Sequence, residues 1–514
     1  MDAYSQAIYQ LDSSPTFKAE RTGVTSLAVW LLPNFVGVVF TLTLFEVLFL
    51  SAGIPRLFYD SDMGWHVRNG EAILRTAAVP RADHFSYTRE GAPWFAWEWL
   101  SDAGFGALHR LAGLSGVALI AALTIALTAA GAAHLALSMG GNLFFTAFAT
   151  VLLLGTTSIH WFARPHVFSW ILALAFLAAV ERERRKPSAT LYALPLLAAL
   201  WANLHGSFLL GPVIVFIYAI GEWLARRSGL RFAVTSLACL LATFISPYGW
   251  RLHEHILAYL QNDYLMDHIV EFRSFSFHAP GALYVELLLA VGAIGTIALF
   301  KQRAFGPALL SVGMLHLSLY SARHLATAAV LLLPLSVTAL TREARTWPAL
   351  RRFLDYSDRL RAIDIRIYGV VPIVLVLALT LVGVNALARA GRVGFDPGTF
   401  PVRAADFLEQ RNRESNGLGR VFAKDQWNGY LIYRFDGRLK VFLDGRSDFY
   451  GQNMLESYAQ IVEVRPAWEA MLQQYDVRFV LVAPDNALAS ALRLSRAWKR
   501  IYSDPVAAVY ERIS

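Results

Sequence analysis

The chain has 514 residues, of which 56% are hydrophobic and only 16% charged, whereas an average soluble protein carries about 25% charge. Its formal charge is +8, but the basic residues lie in short loops between apolar runs and make no continuous stripe, which excludes a nucleic-acid partner. The one cysteine, Cys239, sits inside an apolar run, so neither an internal disulfide nor a cysteine zinc cluster is available.

In chain order, a polar segment at 1–25 comes first, and no cleavage pattern follows the apolar run after it. That run, about 26–50, reads as a retained first span. Further apolar runs lie at about 113–137, 143–159, 166–181, 190–203, 206–224, 231–247, 281–300, 304–320, 324–340 and 368–388. Pro195, Gly206 and Pro212 interrupt the middle ones. Runs of this kind cross a hydrocarbon core of roughly 30 Å, which predicts a polytopic α-helical membrane protein of about eleven spans. Lys18, Arg21, Arg182, Arg184, Arg185, Lys186, Arg226, Arg227, Arg231, Lys301, Arg303 and the arginines of 341–367 fall on the side of the N-terminus. Such a bias marks the cytoplasmic face. The expected organisation is a cytoplasmic segment 1–25, a transmembrane domain 26–388 and an extracytoplasmic α/β domain 389–514.

The first outer loop, 51–112, carries Asp60, Asp62, His66, Arg68, Glu71, Asp83, Glu98 and Asp102. Within it, 64–76 and 97–111 show apolar residues at helical spacing and read as amphipathic helices on the membrane surface. Other outer turns bring Arg164 and His166, Asn203 and His205, Tyr248 to His255, Glu271 and Arg273, and Arg323 and His324 to the same face. In the tail, 420–424, 439–443 and 478–483 read as strands, 452–463, 466–475 and 486–496 as helices, and 499–512 as two short strands.

Asp60-Ser61-Asp62 places two carboxylates just beyond the first span. They suit a divalent cation such as Mg or Mn, or a base with a helper; otherwise Asp62 caps the helix that follows. His66 stands one helical turn on. Trp94, Trp97, Glu98 and Trp99 suit a sugar ring and its hydroxyls, or interfacial anchoring. Arg164, His205, Arg251 and Arg323 sit at outer helix ends, where they can bind a phosphate or lipid headgroups. Glu46 and Glu286 fall inside apolar runs and are functional suspects.

Together these features resemble the membrane-embedded type C glycosyltransferases, which include protein O-mannosyltransferases, the aminoarabinose transferase of lipid A and oligosaccharyltransferases. The chain is most similar to a bacterial multi-pass group sharing Asp60-x-Asp62-x-x-x-His66, Pro80-x-x-Asp83-x-Phe85-Ser86-Tyr87-Thr88, Glu98-Trp99-Leu100, Trp201-x-Asn203-x-His205-Gly206 and Asp444-Gly445-Arg446. The resemblance implies a bacterial inner-membrane enzyme with a polyprenyl-phosphate sugar donor and inverting transfer on the periplasmic side. It implies a base at Asp62 or Asp60, with Asp62 favoured. Arg164, His205, Arg251 and Arg323 would bind the donor phosphate, and His66, Glu98, Trp97, Asn203 and Arg446 the substrate. Better-known members carry Asp-Glu or a single Asp in this loop, so metal use stays open. Two other readings compete: a transporter or flippase, and a non-catalytic envelope scaffold.

Overall fold

The computed structural model describes residues 28–415 and 419–513. The segment 1–25, expected in the cytoplasm, lies outside the described residues. Among the described residues, seven helices are long and apolar enough to cross a membrane: Ala28–Phe49, Trp99–Ser138, Leu143–His160, Gly206–Leu224, Ala282–Lys301, Ala322–Ala344 and Val370–Arg389. The shorter apolar helices Ala189–Leu204, Leu230–Ala242 and Phe305–Tyr320, together with His166–Arg185, occupy the remaining apolar runs. The first of the seven is interrupted after Leu31 and restarts at Phe35, where the Asn34 side chain accepts a bond from the Gly37 N–H.

Burial sorts these helices. Ala322–Ala344 is 83% buried and Val370–Arg389 only 11%, so the former runs through the middle of the bundle and the latter along its rim. Trp99–Ser138 is lined with buried alanines, among them Ala118, Ala122, Ala126, Ala129 and Ala133. Small side chains let neighbouring helices approach closely where lipid gives no hydrophobic driving force.

The two amphipathic segments of the first loop are helical, with one correction. The second runs on into the span after it. The backbone departs from helical geometry only at Ala112 and Gly113, where Gly113 has φ 60°. A glycine tolerates that left-handed turn, so no loop is needed. The first, Met63–Thr76, packs against this helix at very short range: a Cβ on Gly70 would lie 1.7 Å from the Asp102 carbonyl oxygen.

The tail forms a four-stranded sheet in the order β1-β2-β4-β3, with β1 Arg420–Ala423, β2 Val477–Val482, β3 Trp498–Ser503 and β4 Ala508–Arg512. β1 and β2 are parallel, and the β3–β4 hairpin is antiparallel. In β2 every residue but Arg478 is buried, as expected of a strand covered on both faces. Helices Val402–Ser415 and Asp425–Arg434 were not anticipated. The expected strand at 439–443 is instead a single bridging residue, Val441, which pairs with Val421 on one side and Ser86 on the other. Its ladder is cut short by the buried Asp444 turn that follows. The sheet edge is thus continued by the first loop: Val441 N–H bonds Phe85 O at 2.9 Å, and Tyr87 N–H bonds Val441 O at 3.1 Å.

Candidate functional site

Two adjoining cavities open where the first loop, the polar helix ends and the tail meet. The larger, about 310 Å³, is lined by Asp62, Trp65, Trp94, Trp97 and Glu98 from the first loop and by Gly445, Arg446, Ser447 and Asp448 from the tail. The smaller, about 70 Å³, is lined by Arg164, Arg323, His160, His166, His205, His324 and Ser169. Glu98, Arg164, Glu271 and Arg323 border both.

Asp62 stands at the head of helix Met63–Thr76, yet its side chain makes no capping bond. Its N–H is instead held by Asp60 Oδ1 at 3.0 Å, which fixes the two carboxylates relative to each other. Arg164 then spans the pair, with Nη1 2.5 Å from Asp60 Oδ2 and Nη2 3.1 Å from Asp62 Oδ2. Burial, and then the neighbouring Asp60, push the Asp62 carboxyl up to about 8 against the pull of Arg164. Gly445 makes this site possible from the tail side, because a Cβ there would lie 2.1 Å from Asp62 Oδ1.

His66 turns away from the Asp pair. Its Nδ1 lies 2.5 Å from Asp102 Oδ1, while Asn69 Nδ2 donates to Asp102 Oδ2 at 2.6 Å. Its Nε2 lies 3.8 Å from Glu98 Oε2, and His205 Nε2 lies 3.5 Å from Glu98 Oε1. Burial lowers the His66 imidazole to about 3, so it is neutral near pH 7. Burial raises Glu98 to about 7 even though His66 and Arg164 oppose it. His205 is also held well below its ordinary value, by burial first and then by Arg323. Its Nδ1 meets Ser169 Oγ at 2.9 Å, and Trp201 Nε1 donates to the same oxygen at 2.9 Å.

Glu271 completes the ring, 3.8 Å from Arg164 Nη1 and 3.8 Å from Arg323 Nη1. Its burial would raise the carboxyl, but the two arginines hold it down at about 2. On the tail side Arg446 is buried, donating to Asp444 through Nε at 2.7 Å and to Asp83 through Nη2 at 2.8 Å. Its guanidinium lies 4.5 Å from the Trp94 ring centre. His255 meets Asp448 at 2.9 Å and Tyr259 meets Ser447 at 2.9 Å, which seats the tail on helix Arg251–Leu260.

Most residues singled out in the sequence therefore converge: Asp60, Asp62, Glu98, Trp97, Arg164, His205, Arg323 and Arg446 border the cavities or bond residues that do. Two do not. Arg251 is exposed and lines neither cavity. Asn203 is occupied structurally, accepting from Trp99 Nε1 at 2.7 Å and donating to the Ala199 and Ile245 carbonyls. Among the intramembrane carboxylates, Glu286 is exposed, and Glu46 accepts from Ser51 Oγ in a crevice shared with Arg56. His160, Ser169 and Tyr259 were not identified from sequence, Asp448 was noted only as part of the turn after a tail strand, and Glu271 only as an outer-turn residue.

As arranged, the Asp pair does not fit a metal. Mg²⁺ needs oxygens at about 2.0–2.1 Å around a common centre, and the Arg164 guanidinium lies between these oxygens. Among the described residues, no group of three or more His, Cys, Asp or Glu is set to hold an ion.

By sequence, no protein-family model and no curated protein matches the chain. By structure, it matches the oligosaccharyltransferase AglB of Archaeoglobus fulgidus in several states. With the complex containing an inhibitory peptide and a dolichol-phosphate, the TM-score is 0.54 at 10% identity, covering 93% of this chain and 74% of that one. With the form tethered to an acceptor peptide, the TM-score is 0.55 at 12% identity, with the same coverage. With the zinc and sulfate complex it is 0.51 at 11% identity, covering 93% and 73%. The fold is like that of this oligosaccharyltransferase. At these identities the likeness to AglB is one of fold, over 93% of this chain. Chemistry has to be argued from this chain's own residues.

Proposed function

We propose that the chain is an integral-membrane glycosyltransferase that moves a sugar from a polyprenyl-phosphate donor to an acceptor hydroxyl. One observation carries the reading: Arg164 contacts the buried Asp62 carboxyl and also lines, with Arg323, the smaller cavity. Base and phosphate site are thereby one side chain apart.

In this reading the donor phosphate enters the smaller cavity between Arg164 and Arg323, with His205 as a neutral partner. The sugar lies in the larger cavity against Trp94 and Trp97, its hydroxyls within reach of Glu98. The acceptor oxygen attacks the anomeric carbon from the face opposite the phosphate. The new bond forms as the bond from that carbon to the phosphate oxygen breaks, and Asp62 takes the hydroxyl proton. The two guanidiniums stabilise the charge that collects on the departing polyprenyl phosphate. A single displacement inverts the anomeric centre. No step is routed through a metal.

The chain's topology follows the same reading. All apolar helices span a bacterial inner membrane, about eleven in number, with 389–514 as a periplasmic α/β domain. Gathering of the ionisable residues at one end of the bundle favours transfer at the surface over transport, which calls for a site near the midplane. The dolichol-phosphate in the AglB complex supports a lipid-phosphate ligand for this fold.

The test is donor binding. Decaprenyl phosphate should bind the purified protein, and Arg323→Ala should weaken it at least about tenfold, the loss of one charge-assisted contact. Equal binding by wild type and variant would remove the phosphate from this cavity.

A further inference from the structure

Three carboxylates, Asp60, Asp62 and Glu271, face one guanidinium, so the chain itself supplies the cation among them. Asp60 and Asp62 are locked together through the Asp62 N–H, and each gives one oxygen to a separate nitrogen of the same guanidinium. Glu271 approaches the same nitrogen as Asp60, from a different loop. Arg164 is four-fifths buried, so water does little to screen these contacts.

We infer that Arg164 is the built-in cation of this site, holding the place that a divalent metal would otherwise take. The geometry gives two reasons. A metal bonded to Asp60 Oδ2 and Asp62 Oδ2 would have to share these oxygens with a guanidinium already at 2.5 and 3.1 Å, and two cations there repel. A guanidinium also cannot be deprotonated in a protein, so the charge is permanent and independent of metal supply. Its planar fork orients the carboxylates, and the same side chain lines the smaller cavity. Arg164 is therefore a positioning residue for Asp62 as well as a phosphate ligand. The consequence for turnover rests on the proposed transfer reaction; the consequence for metal binding does not.

The experiment is Mn²⁺ binding followed by electron paramagnetic resonance, on the full-length protein in detergent. Wild type should bind no Mn²⁺ in a manner sensitive to Asp60→Asn. Arg164→Ala, which leaves three carboxylates facing one opening, should gain one Mn²⁺ equivalent that Asp60→Asn then removes. Any transfer by wild type should be unchanged, within about twofold, by a chelator, because the charge stabilisation comes from fixed protein groups. Stoichiometric, Asp60-dependent Mn²⁺ binding by wild type would overturn the inference. So would a folded Arg164→Ala protein that binds none. Because the binding result needs no substrate, it stands or falls apart from the glycosyltransferase reading.

Discussion

Asp62 is the residue on which the proposed chemistry turns, and its environment makes a pH prediction. A base acts only when unprotonated, and burial with Asp60 pushes this carboxyl up to about 8. Turnover at limiting donor should therefore rise with pH through neutrality and level off above about 8. A rate already flat from about pH 6 upward would show an Asp62 of ordinary acidity and contradict this assignment. Asp60 and Asp62 were legible as site candidates because two carboxylates close to a span end stand out in an apolar sequence. The partnership of His66 was not. It follows from Asp102, 36 residues away in the chain, and no local spacing reveals that. Asn203 and Arg251 looked equivalent to His205 and Arg323 on the same grounds of position. Only packing shows that the Asn203 amide is already spent on Trp99 and two carbonyls, and that Arg251 faces outward.

At the scale of elements, the site depends on how tightly helix Met63–Thr76 lies against the start of Trp99–Ser138. Gly70 and Gly106 provide that contact: a Cβ on Gly106 would stand 2.5 Å from the Glu71 nitrogen. Both obstacles are backbone atoms, which cannot swing aside. Gly70→Ala should force the helices apart, stretch the His66–Asp102 and Asn69–Asp102 bonds, and destabilise the protein by about 1–3 kcal/mol or more. Thermal melting in detergent would read this, and an unchanged midpoint would show that the helices can separate without cost. Apolar runs and surface-helix patterns were readable because hydrophobic periodicity records which face is buried. The lost strand at 439–443 shows the limit. Val441 has the right composition, but its partner on one side is Ser86 of a distant loop, so its extent is set by that docking. Helices Val402–Ser415 and Asp425–Arg434 were missed although both are regular; their polar faces make them resemble linker sequence.

For the whole molecule, the notable feature is that the tail closes the site. Arg446 joins Asp444 of the tail to Asp83 of the first loop in a buried cluster, and Thr88 Oγ1 donates to the Phe442 carbonyl at 2.5 Å. Burial alone would raise the Asp83 carboxyl, but Arg446 and the hydrogen bonds of Ser86 hold it below its ordinary value. That contribution to stability is full above the ordinary carboxylate value and is lost as pH falls through the lowered one. A soluble-looking appendage is thus part of the cavity wall, a role that composition alone could not assign to it.

The most direct measurement is transfer by the protein in lipid vesicles supplied with polyprenyl-phosphate sugars, following release of the lipid phosphate from wild type and from Asp62→Asn. The account predicts release by wild type and a fall of roughly 10²–10⁴ in the variant, the usual worth of a positioned base, with decaprenyl phosphate still bound. Release by Asp62→Asn at the wild-type rate, or labelled donor crossing the bilayer with its sugar still attached, would contradict it.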